Sequence, residues 1–210
     1  MKKTICIMLF AAILCGVCPV FANADATIPT AVNTVKHTVV SGDTMWKMAV
    51  RYHVGLSEII SANKHIKNPD LIYPGDTLYI PLTDTDVTDF EGEVVRLVNE
   101  IRKQNGLSVL SENWELSRVA RYKSKDMHDK NYFSHTSPTY GSPFEMMKSF
   151  NISYRTAGEN IAKGYRTPQA VVDGWMNSEG HRANILNASF KQIGVGYYAD
   201  GYYWTQMFIG

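Results

Sequence analysis

The chain has 210 residues, with 21 Lys and Arg against 20 Asp and Glu, a formal net charge of +1 and three Cys. That balance offers no basic field for nucleic acid. The mature length suggests one or two domains.

The N-terminus reads as a targeting segment. Met1-Lys2-Lys3 gives a positive start, ICIMLFAAILCGVCPVF an apolar run, and Ala22-Asn23-Ala24 a small-x-small site before Asp25. This is the pattern of a secretory signal peptide over residues 1–24. A membrane anchor is the alternative, but polar residues follow at once and no basic stop-transfer flank appears. Removal of residues 1–24 takes away Cys6, Cys15 and Cys18 together with Lys2 and Lys3, leaving a thiol-free chain of 186 residues with net charge −1. Small secreted proteins often lean on disulfides, so this one is expected to rest on apolar cores. No second apolar run is long enough to span a bilayer in the mature chain.

Residues 37–81 read as a strand, two helices and a strand. Thr38 to Val40 is β-like. Asp43 or Thr44 suits the N-cap of a helix over Met45 to Tyr52, with Met45, Met48, Ala49 and Tyr52 on one face. A second helix fits Ser57 to Ala62, ending at Asn63. Pro74-Gly75 marks a turn, and Leu78 and Ile80 alternate in a closing strand. SGDTMWKMA near the start and NPDLIYPGDTLYIP at the end resemble a LysM module across its whole length. Gly55 departs from the resemblance, since a Ser or Thr cap is usual there. The resemblance implies binding of peptidoglycan or another N-acetylglucosamine polymer, in a groove that maps to Asp43, Thr44, Met45, Pro69, Asp70, Leu71 and Ile72. A cap role for Asp43 and a turn role for Pro69 compete with sugar contact. Trp46, an aromatic at helical spacing, reads as packing before it reads as a sugar platform.

Residues 82–89, LTDTDVTD, are small, polar and aperiodic, as in a linker. Beyond it, residues 90–210 form a unit of about 120 residues, an ordinary domain size. Thr88 to Glu91 has capping-box spacing before a helix through Val94, Leu97, Val98 and Ile101 that ends at Asn105-Gly106. A second helix runs from Asn113 to Asp129, with Leu116, Ala120, Lys123 and Met127 on one stripe. Ser142-Pro143-Phe144-Glu145 is another capping box. Thr167-Pro168 opens a helix through Trp175. Two β-rich runs around Asp200-Gly201 predict a hairpin. The class is α+β.

Three polar residues stand out: His135 in NYFSHTSP, Glu159 in AGENIAKG and His181 in SEGHRANIL. Each alone is more often a cap or a satisfied core group, and Arg182 reads equally as a partner for helix-terminal carbonyls. LVNEIRKQNGL, FSHTSP, AGENIA, WMNSEGHRANIL and YYWTQMF, in this order, resemble a bacterial member of the CAP superfamily of cysteine-rich secretory, antigen and pathogenesis-related proteins, also called SCP-like. The resemblance implies an α-β-α sandwich with a cleft holding His135 and Glu159. Tyr203 stands where animal and plant relatives carry a second cleft His, and Ser178 near their second acid. His181, in the bacterial Gly-His-Arg motif, is expected to supply the second imidazole from a loop after the helix, with Arg182 bracing it. Glu179 is an acid nearby in a different register.

Two imidazoles and a carboxylate suit a divalent metal such as zinc with an open position for water. Glu159 is also a candidate general base without metal, and a hydrogen-bonded network is the plainer alternative. The mature chain has no Cys nucleophile and no G-x-S-x-G motif. Taken together, the resemblances imply a secreted protein of the cell wall or envelope. It would bind peptidoglycan through LysM and present a CAP cleft to a ligand or partner. The alternative is a wall-targeted, metal-dependent hydrolase of peptide or glycan; enzymatic activity is left open, with a binding role preferred.

Overall fold

A computed structural model describes residues 33–210; the expected signal peptide and the three Cys lie outside them. The first module pairs β1 (Asn33–Thr38) antiparallel with β2 (Thr77–Leu82), with α1 (Met45–Tyr52) and α2 (Leu56–Ala62) between them in sequence. Thr44 is the N-cap of α1, its Oγ1 accepting from the Lys47 amide at 3.1 Å. Met45, Met48, Ala49, Ile59, Leu78 and Ile80 close a small apolar core. The first strand lies earlier than the sequence predicts: Val39 and Val40 have already left β1.

The expected linker is not one. β2 ends at Leu82 and α3 (Thr85–Gln104) begins three residues later. Asp84 caps α3, accepting from the Asp86 amide at 2.8 Å. The predicted capping box is bypassed, and Thr88 Oγ1 instead donates to the Thr85 carbonyl one turn back.

The second domain then runs β3 (Ser111–Glu112), α4 (Trp114–Asp129), α5 (Pro143–Ser149), β4 (Ala157–Lys163), α6 (Pro168–Met176), α7 (Glu179–Ile185), β5 (Gln192–Tyr198) and β6 (Tyr203–Ile209). The sheet order is β3-β5-β6-β4, antiparallel except for the short β3–β5 pair. β5 and β6 are the hairpin expected around Asp200-Gly201. β4 is absent from the sequence reading, and it is the strand that carries Glu159.

Alternation along the hairpin divides the core in two. Ile193, Val195, Tyr197, Trp204 and Phe208 face α3 and α6, joining Val94, Val98, Val171 and Trp175. Met207 and Ile209 face α4 and α5, joining Leu116, Val119, Ala120 and Met146. The α-β-α sandwich follows.

α4 approaches β5 very closely. A Cβ at Gly194 would stand 2.4 Å from the α4 backbone at Leu116 and Ser117, and one at Gly196 would stand 2.1 Å from it at Ala120 and Arg121. Side-chain hydroxyls complete the seam. Ser117 Oγ accepts from the Val195 amide at 3.2 Å, and Ser124 Oγ bonds the Gly196 carbonyl at 2.9 Å.

Gly196→Ala is therefore expected to force α4 and β5 apart and to destabilise by about 2 kcal/mol or more, in the range of overpacked cores. Gly92→Ala, within α3 and with nothing within 4 Å of the added Cβ, should instead be neutral or stabilise by up to about 1 kcal/mol from helix propensity. Denaturant unfolding of both variants checks the pair.

Candidate functional site

β4 is an edge strand, and successive side chains point to opposite sides of it. Glu159 lies opposite Met207 and points to the α4 side, while Asn160 lies opposite Gln206 and points to the α7 side. His135 comes from the loop after α4, and His181 from the first turn of α7. His135 and Glu159 thus meet on the α4 side of the free edge of the sheet, and α7 carries His181 on the other side.

His135 Nδ1 and Glu159 Oε1 are 2.7 Å apart. The Glu159 side chain is 1% exposed and that of His135 52%. Burial pushes the Glu159 carboxyl above its ordinary range, against the opposing His135 hydrogen bond and the Lys123 charge. Glu159 Oε2 is buried without a protein partner. The pairing fixes which face of the imidazole meets the carboxylate and leaves Nε2 for a ligand. Burial first, and the nearby His135 second, hold the His181 imidazole below its usual pKa, so this ring is biased to the neutral form.

Lys123 and Asp126 place His135. Lys123 is fully buried, and its Nζ donates to the carbonyls of Ser134 and His135, both at 2.8 Å, and to Tyr132 Oη at 3.2 Å. Three donors thus meet three acceptors, which is what lets a charged amine stay inside. One turn on, Asp126 accepts from Tyr132 Oη, Ser137 Oγ and Thr139 Oγ1 at 2.5 to 2.7 Å. Together they clasp both ends of the His135 loop.

α7 is a helix where the sequence predicts a loop, so His181 is carried on regular backbone. Arg182 bonds the Met176 carbonyl at 2.8 Å, which ties α7 to the end of α6. Arg102, buried in α3, donates to the Ile185 and Asn187 carbonyls at the far end. On the cleft side Asn160 Nδ2 donates to the His181 carbonyl and to Gln206 Oε1, while Asn184 Nδ2 donates to Asn160 Oδ1 and the Glu159 carbonyl. Asn160, Asn184 and Gln206 stand in the quoted GEN, HRANIL and YWTQ motifs, yet sequence reasoning assigned them no role. Their signal was a buried amide in an otherwise apolar strand or helix end.

Tyr203 is buried against Met127 and Ile161, and so belongs to the core. Glu179 is exposed in the first turn of α7, where a negative charge suits the helix dipole. Glu159 is the hydrogen-bond partner of His135, and among the described residues no group of three or more His, Cys, Asp or Glu is placed to hold a metal.

In the first module the expected glycan residues divide. Asp43 is turned inward, its Oδ2 2.8 Å from His37 Nε2 and 3.1 Å from the Val40 amide, and Met45 is core. Thr44 is exposed, Pro69 and Ile72 are half-buried, and Asp70 and Leu71 are exposed. Tyr73 beside them is exposed as well, and Trp46 lies on the outer face of α1 at 55% exposure rather than in the core.

The sequence matches the family described as CAP, the Cysteine-rich secretory protein family, over residues 95–208. The chain belongs to the CAP family. Residues 37–81 match the LysM domain. Over 126 residues the chain is 62% identical to the uncharacterized protein YkwD of Bacillus subtilis (strain 168), covering 60% of this chain and 49% of that one. It is 41% identical over 59 residues to the secreted LysM effector ECP6 of Passalora fulva, covering 28% and 25%. An extracellular protein containing a SCP domain from Bacillus anthracis str. Ames matches in structure with a TM-score of 0.57 at 37% identity, covering 65% of this chain and 47% of that one. This CAP-family chain spans half the length or less of each of these relatives. Among the described residues no helix is long and apolar enough to cross a membrane.

The raised Glu159 pKa has a sign. A carboxyl that holds its proton more tightly when folded favours folding at low pH, and that contribution is lost as pH rises through the folded pKa. Glu159→Gln is expected to raise the thermal midpoint at pH 7, with the difference closing towards pH 4. Thermal unfolding across that range checks it; equal shifts at both ends would contradict a buried ionised carboxylate.

Proposed function

We propose that this is a secreted, wall-associated protein that binds peptidoglycan through its LysM module and presents the CAP cleft to a ligand or partner there. The observation that carries the reading is the loop between α2 and β2. It exposes Leu71 and Tyr73, two apolar side chains that contribute nothing to the module's own core. An N-acetyl sugar offers a methyl group and a ring face to such side chains and an amide to the neighbouring backbone. In the CAP domain, the outward-facing His135 backed by the buried Glu159 offers a hydrogen-bonding imidazole of fixed orientation to whatever enters the cleft.

The protein is expected to sediment with insoluble peptidoglycan. Leu71→Ala with Tyr73→Ala should weaken that binding about tenfold or more, the loss typical when buried aromatic anchors of an interface are truncated. Undiminished sedimentation of the double variant would remove this loop from the binding site. Incubation with peptidoglycan is expected to release no soluble fragments above background, with or without zinc. Release that disappears in Glu159→Gln would replace the binding role with a hydrolase.

A further inference from the structure

The surface of the LysM module that meets the CAP domain is built for the meeting. Only Thr83 and Asp84 separate β2 from α3, a connection of about 7 Å at full stretch. On the LysM side, His53 closes α1 in the left-handed conformation, at φ 53°. Its ring stacks on Trp114, the first residue of α4, with centroids 5.5 Å apart and planes 10° apart. Glu58 of α2 is almost wholly buried and meets Arg118 of α4, with Nη1 3.0 and 3.4 Å from its two oxygens. The Arg118 guanidinium lies over the rings of Phe150 and Tyr122, at 5.1 and 5.9 Å. Burial alone would raise the Glu58 pKa; the Arg118 charge and the Ser57 hydroxyl outweigh it and hold the carboxyl below its ordinary range. The pair is ionised across the junction.

Gly55 explains itself here. Its backbone, at φ −70° and ψ 148°, is open to any residue, so conformation does not call for glycine. Space does: a Cβ at this position would stand 1.9 Å from Glu58 Oε2. The Ser or Thr cap usual at this place in the module would collide with the carboxylate as it turns towards Arg118.

We propose that the LysM module is docked on the CAP domain as one rigid body through the Glu58–Arg118 pair and the His53–Trp114 stack, with Gly55 as the residue that makes room for the docking. The face of the module around α2 is then an internal interface whose partner is α4 of the same chain. The glycan-binding loops and the His135–Glu159 cleft are held in a fixed relation, so the cleft acts at one set position from the bound glycan instead of sweeping a tether's radius. That consequence rests on the wall-binding reading; the docking itself does not.

Backbone amide relaxation of the full chain without its first 24 residues tests it. One shared tumbling time is expected for LysM and CAP amides. Glu58→Arg should abolish the sharing, with LysM amides tumbling faster than CAP amides, and Glu58→Arg with Arg118→Glu should restore it. Gly55→Ser is the milder second variant: it keeps Glu58 and Arg118, and is also expected to separate the two times. Unchanged shifts at Ile80 and Trp204, in the two cores, show that each domain stays folded. Two tumbling times in the parent, or a single time retained in both Glu58→Arg and Gly55→Ser, would overturn the proposal. Sedimentation with peptidoglycan should be retained by both variants, so loss of wall binding in the parent would strike the functional reading and leave the docking standing.

Discussion

The seating of α4 against β5 is the contact on which the rest of the molecule depends. It exists because Gly194 and Gly196 leave no side chain between the strand and the helix backbone. Close approach turns α4 into a support with several working faces. Leu116, Val119 and Ala120 pack on the sheet. Arg118 and Trp114 meet the LysM module. Lys123 and Asp126 hold the His135 loop. Arg121 reaches Glu91 of α3 across the outer side of β5, where Glu91 also accepts from the Tyr197 amide at 2.9 Å. A helix placed even a little further out would loosen all of these at once, because close packing and short polar contacts leave little slack.

The buried charges tell the same story. Lys123, Arg102 and Glu91 are each almost wholly buried, and a bare charge in such a place is costly. Each is met by several partners from a different part of the chain: Lys123 by the loop it clasps, Arg102 by the end of α7, Glu91 by Arg121 and β5. Apolar packing would hold these elements together, but not at one angle; hydrogen-bonded charges select one. The cleft inherits that definition on both sides, since His135 depends on Lys123 and His181 on the ends of α7.

The cleft sits at the free edge of β4, a place that commonly invites unwanted strand pairing. Here the outward carbonyls are already taken: that of Glu159 by Asn184 and that of Ile161 by the Trp175 indole at 3.3 Å. The edge therefore becomes a floor for side chains instead of a template for another strand. The same arrangement keeps Glu159 buried with one oxygen unmatched, a local cost to stability.

The sequence by itself determined every helix but α7, and the hairpin, because their signals are local. The Asn113 cap, the Ser142 capping box, Thr167-Pro168 and Asp200-Gly201 all mark boundaries where the structure has them. It also determined both domain families, through motifs that stay contiguous along the chain. Tertiary structure alone decided the rest. β4 opens on Ala157, Gly158, Glu159 and Asn160 instead of an apolar alternation, and its partner β6 lies far along the chain, so no periodic pattern announced it. LTDTDVTD looked like a linker because small polar residues suit a helix N-terminus as well as a loop, and only the packing of Val87 and Phe90 on the second domain's core told them apart. Lys123 lay on an apolar stripe as an apparent misfit until three acceptors from a later loop closed around it. Trp46 looked like core, because helical spacing says which residues share a face but not whether that face has anything to pack against.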